Sequence, residues 1–483
     1  MAPPPKLPPF DPARRRFLTG VAGAAGTLVL PGCGTSDPAT LGALAALPKP
    51  EDSGIDHIVQ VMMENRSFDH YLGWVPGAEG RQSATFRNSV GSEVPTFHLA
   101  ADPAYGYQGC GWADPNHNYA AGRTHYNNGA MDGWLQTSGT ADNPEDRFPA
   151  GYYKEEDLKF FSGVAQNFTV CDRYHHGFLG STFPNRIYMH SGATDRMQND
   201  FYPPGPAPMP ATIPTIWDRL AEAGISRKSY YSDVPITAFW GEKYADISAT
   251  FQQFLTDAAA GQLPAVSYFD PNFGGGGAGE SPNGVSRDDH PQADIRDGQV
   301  YLTQIYNALR ASPNWERTLM IVTYDEWGGF FDHVAPGFSP VSAAETALGN
   351  DGRLGFRVPC VIIGPRARRG HVSHLPFDPN SVINLIRWRF NLPAVGDSPR
   401  NQNSLSMAYA LDFESPPNLD APAFGDLGPD GLGNSAGVSY GASCQPAAAS
   451  SATAPTAANL DRAAHNAEWR QLRVMARAYG YPV

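Results

Sequence analysis

Four runs in the chain are predominantly apolar and show no apolar–polar alternation: IDHIVQVMM (55–63), AVSYF (265–269), TLMIVTY (318–324) and VPCVIIG (358–364). Strands with one wet face alternate apolar and polar residues, whereas strands covered on both faces do not. Uninterrupted runs of this length therefore predict buried parallel strands. Between them lie stretches of helical period: 213–224, 293–312 and 378–390. Thr212 and Asp378 are expected N-caps and Gly224 a C-terminal stop. The alternation predicts an α/β fold with a doubly wound, mostly parallel sheet, whose function gathers at the carboxyl ends of the strands.

Two of these runs end in hard oxygen donors. The first runs into Glu64-Asn65, the third into Asp325-Glu326, and Asp289-His290 precede the long helix at 293. A buried carboxylate without a countercharge costs several kcal/mol. A divalent cation held by oxygen ligands supplies that charge. A solvated turn is the alternative for either pair alone. A hydroxyl source sits in GFLGSTFPNRIYMHSG (177–192), where Ser181-Thr182 opens a helical run. Exposed N–H groups at such a helix start favour an anion, although an ordinary cap has the same sequence.

The stretch 80–210 has few periodic elements and reads as long insertions roofing the site. Its Tyr105, Tyr107, Trp112, Tyr119 and Trp134 suit a quaternary ammonium group, or equally a loop core. A net charge of −13 argues against nucleic acid as a partner, because phosphate backbones demand clustered Lys and Arg. Residues 14–30, RRRFLTGVAGAAGTLVL, form a basic start with a short apolar run, the pattern of a twin-arginine export signal. The expected organisation is a signal at 1–33 and a linker at 34–53. A catalytic domain follows at 54–415, then a loop-rich segment at 416–459 and a C-terminal helix at 460–483. Cys33 stands where a lipoprotein carries its lipidated cysteine, with Pro31 a poor fit. Cys110, Cys171, Cys360 and Cys444 allow two disulfides in an exported chain.

Taken together, DHIVQVMMENRSFDHYLG (56–73), DPNHNY (114–119), NNGAMDGW (127–134), QNFTVCDRYHHGFLGSTFPNRIYMHSG (166–192), DDHP (288–291) and YDEWGGFFDHVAPG (324–337) resemble a bacterial phosphoesterase family. That family contains phosphatidylcholine-type phospholipases C and certain acid phosphatases on an alkaline-phosphatase-like core. The resemblance runs from about residue 55 to about 390. It implies a divalent metal on Glu64, Asn65, Asp325 and Glu326, Thr182 as nucleophile, and His290 assisting the leaving group. It places His117 and Asn127 along the phosphate pocket and His333 at the same edge. Asn185 and Arg186 belong to the nucleophile motif; Arg186 would orient the site, bind phosphate or form a structural ion pair. The implied substrate is a phospholipid diester, with contact at a membrane surface, or a small phosphomonoester.

Overall fold

The computed structural model describes residues 44–103, 106–109, 112–138, 146–274, 286–431, 440 and 457–483. The expected export signal, Cys33, Cys110 and Cys444 lie outside these residues. Eight strands form the central sheet: β1 (His57–Met63), β2 (Thr169–Cys171), β3 (Arg227–Tyr231), β4 (Ser248–Thr250), β5 (Val266–Asp270), β6 (Thr318–Tyr324), β7 (Cys360–Ile363) and β8 (His371–Ser373). Their spatial order is β8-β2-β7-β6-β1-β5-β3-β4. The two seven-residue strands β1 and β6 lie at the centre, and all of β6 is buried. Short three-residue strands close both edges, which limits the unpaired backbone available to another chain.

All pairings are parallel except those of β7, which runs against both β6 and β2. The run VPCVIIG was expected to be parallel; its unbroken apolar pattern reflects burial on both faces, which is indifferent to strand direction. Cys171 on β2 and Cys360 on β7 are buried and free, not bridged.

The principal helices are α1 (Phe68–Leu72), α2 (Tyr119–Tyr126), α3 (Lys159–Asn167), α4 (Thr182–Ser191), α5 (Ile216–Glu222), α6 (Phe251–Ala259), α7 (Ile295–Ala311), α8 (Pro379–Phe390) and α9 (Ala457–Ala478). Helices α3 and α6 pack on α7, and α5 and α8 pack on α4, so two helical groups flank the sheet. Asp378 caps α8 as expected, accepting from the Ser381 N–H. The cap of α5 is Thr215, not Thr212, because Asp218 three residues on closes a capping box with it. Gly224 ends that helix in the left-handed conformation. The stretch 80–210 is richer than expected, holding α2, α3, α4 and β2.

Candidate functional site

Parallel register sets Met63 beside Tyr324 at the ends of β1 and β6, so the residues that follow emerge together. The Asp325 N–H donates to Met63 O (3.2 Å), the Arg66 N–H to Glu326 O (3.1 Å), and the Asn65 N–H to Asp325 Oδ1 (3.1 Å). Asn65 adopts φ +62°, a conformation that asparagine tolerates better than most side chains. Gly328 (φ +61°) crosses so close that a Cβ there would lie 2.2 Å from Asn65 O. Only glycine fits that approach.

Glu64, Asn65, Asp325 and Glu326 are all buried. Each turns one oxygen into the protein without a hydrogen-bond partner: Glu64 Oε2, Asn65 Oδ1, Asp325 Oδ2 and Glu326 Oε1. The nearest countercharge is Arg186, which sits 3.3 Å from Glu64 Oε1, 3.2 Å from Asp325 Oδ2 and 3.6 Å from Asp270. One guanidinium does not balance these acids. Burial raises the Glu64 carboxyl well above the ordinary range against the pull of Arg186, and burial followed by the Asp325 charge does the same to Glu326. Burial brings Asp325 to about 6, with Arg186 opposing. Carboxylates and an amide with orphaned oxygens in a dry site fit a hard divalent cation.

Two histidines face this cluster. His117 Nδ1 donates to Pro115 O (2.7 Å), leaving Nε2 3.4 Å from Asn65 Nδ2 and 3.7 Å from Glu326 Oε1. His290 Nδ1 donates to Pro291 O (3.1 Å), and its Nε2 lies 3.5 Å from Asp114 Oδ2. Both ring nitrogens of His290 thus face acceptors, an arrangement satisfied by the doubly protonated ring. Thr182 is the first residue of α4, nearly buried, with Ser181 as its cap. Arg186 lies one turn further on the same face and reaches Glu64 and Asp325, so Thr182 projects from α4 on the side of the cluster.

The other expected residues do different work. Asn185 spends its amide on the preceding turn: Oδ1 accepts from the Phe178 N–H (3.0 Å), and Nδ2 donates to Gly180 O (2.7 Å) and Ser181 O (3.0 Å). Arg186 is fully buried among acids and over the Phe273 ring (4.6 Å), as an internal countercharge. Asn127 is exposed and donates to Asp132 Oδ1 (2.8 Å); among the described contacts none joins it to the cluster. His333 pairs with Asp69, beside the ion pairs of Arg357 with Asp69 and Asp332. The aromatic residues do not form a cage: Trp134 is core, Trp112 stacks on Phe148, Tyr119 on Phe178, and Tyr107 lies under Arg296. Tyr105 is outside the described residues.

Sequence reasoning missed three members: Asp114, which faces His290, and Asp288 and His465. Asp288 passes its carbonyl to the Glu64 N–H (2.7 Å) and its Oδ1 to the His290 N–H (2.9 Å). His465, on α9, stacks on His290 with ring centroids 3.7 Å apart. Glu64, His290 and His465 bring donor atoms within 4.8 Å of one another, as do Asp114, His117 and His290. The available signal was position: His465 shares a helical face with buried Trp469, Leu472 and Ala476.

The model of the Phosphoesterase family matches residues 55–393. "Phospholipase C A" of Mycobacterium tuberculosis (strain ATCC 25618 / H37Rv) is 31% identical over 469 residues, covering 85% of this chain and 87% of that protein. "Non-specific phospholipase C1" of Arabidopsis thaliana is 30% identical over 410 residues, covering 76% and 73%. Among solved structures, a protein in the alkaline phosphatase superfamily from Vibrio parahaemolyticus is similar over 74% of this chain and 72% of that one, at 10% identity and TM-score 0.34. A match over most of the chain identifies it as a member of the phosphoesterase family and a phosphoric ester hydrolase.

Proposed function

We propose that this chain is an exported, metal-dependent phosphoesterase of phospholipase C type, cleaving phosphatidylcholine-like diesters through Thr182. The observation that carries the reading is the set of four buried oxygens on Glu64, Asn65, Asp325 and Glu326 that accept no hydrogen bond and share one guanidinium, beside the helix that Thr182 opens. These four residues would hold the divalent cation. When bound, the cation supplies charge stabilisation at a phosphoryl oxygen and lowers the pKa of a coordinated hydroxyl.

The chain's own groups account for the remainder. Thr182 Oγ attacks phosphorus, forming an O–P bond as the bond to the departing alkoxide breaks. In the first turn of α4 Phe183 donates its N–H to Asn199 Oδ1 (2.9 Å) and Pro184 has none, so the Thr182 N–H is the backbone donor that faces negative charge on the non-bridging oxygens. His290, held between Pro291 O and Asp114, gives its proton to the alkoxide, a contribution of about 10²–10⁴-fold. Water then cleaves the phosphothreonine: one water proton returns to His290, and the Thr182 oxygen takes back from solvent the proton it released there on attack. The names of the relatives support a phospholipid diester as substrate, and the basic-apolar start at 14–30 supports twin-arginine export. Among the described residues no helix is long and apolar enough to cross a membrane.

The test compares the enzyme and Thr182→Ala on p-nitrophenylphosphorylcholine and p-nitrophenyl phosphate, with and without chelator. Chelator-sensitive diester turnover lost in Thr182→Ala supports the proposal. Equal turnover by the two proteins refutes the nucleophile, and turnover of the monoester alone refutes the phospholipase C reading.

A further inference from the structure

The family match ends at residue 393, yet helix α9 reaches the site from residue 457 onward. Its His465 ring covers the face of His290 at 3.7 Å, with an angle of 26° between the planes. In its own plane His290 is held by Pro291 O and Asp114 Oδ2. Motion out of that plane is blocked by His465 on one side, and the edge meets the His117 ring at 6.0 Å. His465 is itself fixed one turn along the helix: Trp469 Nε1 donates to His465 Nε2 (3.1 Å). The same Nε2 lies 3.7 Å from Glu64 Oε2 and 3.9 Å from Asp288 Oδ2, so the ring is fixed at its edge while its flat face lies on His290. Trp469 in turn lies flat on Phe273, with centroids 3.7 Å apart and planes 4° apart. Phe273, Trp469, His465 and His290 thus form one continuous buried chain of rings, stacked at both ends and meeting edge to face where Trp469 touches His465 (6.0 Å, 74°).

We infer that His465 is a positioning residue: through its ring it holds His290 in the orientation that delivers a proton to the leaving group, making α9 part of the catalytic apparatus. The inference rests on the proposed role of His290, and the test separates the two. Proton donation matters when the departing group is a basic alkoxide and little when it is p-nitrophenolate. The assay therefore uses two phosphocholine esters that differ in leaving group, dihexanoylphosphatidylcholine and p-nitrophenylphosphorylcholine. A monoester pair, glycerol phosphate and p-nitrophenyl phosphate, runs beside them.

For His465→Ala the expected result is a kcat on the alkoxide ester reduced about 10–100-fold more than on the aryl ester, with KM nearly unchanged. His465→Phe, which keeps a flat ring against His290, restores most of the loss. Trp469→Phe, which keeps the stack on Phe273 but removes the N–H, gives a smaller loss of the same selectivity and stands in should His465→Ala fail to fold. Equal losses on both esters, or a Phe variant as impaired as Ala, would overturn the positioning role. If His290→Ala shows no leaving-group dependence, the fault lies with the proposed acid and not with His465.

Discussion

Asn185 lies three residues after the proposed nucleophile Thr182, and its geometry makes a sharp prediction. Its Oδ1 satisfies the Phe178 N–H and faces His176 Nδ1 at 3.2 Å, while Nδ2 serves the carbonyls of Phe178, Gly180 and Ser181. The residue is fully buried, so no water replaces these bonds when the side chain is cut back. In Asn185→Ala the stranded Phe178 N–H costs about 1–3 kcal/mol, and two lost donations add about 1 kcal/mol each. The sum is a destabilisation of roughly 3–5 kcal/mol. The turn 178–181 that delivers Thr182 loosens at the same time, so kcat falls while KM stays close to its starting value. Urea unfolding and steady-state kinetics on one preparation read both effects. Were Asn185 a substrate contact instead, Ala would raise KM and leave stability unchanged; that outcome would refute the bracing role.

Gly328→Ala forces a Cβ against Asn65 O in a left-handed residue; the cost is at least ~2 kcal/mol by urea unfolding, and chelator-sensitive turnover drops with it. Asp297 on α7 gives a pH signature, since burial carries its carboxyl from 3.8 up to about 7 while the Tyr440 N–H opposes. For an acid raised on folding, the stabilising contribution is complete below about pH 4 and is lost as pH rises through about 7. Asp297→Asn keeps the oxygen that accepts from Tyr440 and removes the titration. The variant's free energy of unfolding is expected to match the parent's at pH 4 and exceed it at pH 8 by on the order of 2–4 kcal/mol. A parent as stable as the variant at pH 8 would show that the carboxylate is compensated by other means.

The strand ends were legible because apolar runs that stop on acids are chemically conspicuous. Glu64-Asn65 and Asp325-Glu326 announced themselves in that way, and the register of β1 on β6 brought them together. Strand direction was not legible at β7, whose residues are buried whichever way the chain runs. Motif membership placed Asn127, Asn185, Arg186 and His333 near the chemistry without saying what their polar atoms meet. Asn185 is spent on the backbone of the turn just before it, and Arg186 on internal acids far off in sequence. His465 was hidden for the opposite reason: on an amphipathic helix a histidine among apolar residues looks like packing, and its partner His290 belongs to a distant loop.

The ring stack on α9 also sets a clock on the birth of the enzyme. Glu64 and His290 are in place long before the ribosome has made residue 465, and synthesis proceeds at about 5–20 residues per second. Closing so long a chain segment costs little more than closing one half its length, because loop entropy grows only logarithmically. The last helix is thus late but thermodynamically inexpensive to dock. Until it does, the His290 ring lacks the flat neighbour it has in the complete chain, so docking of α9 is the step that finishes the surroundings of His290.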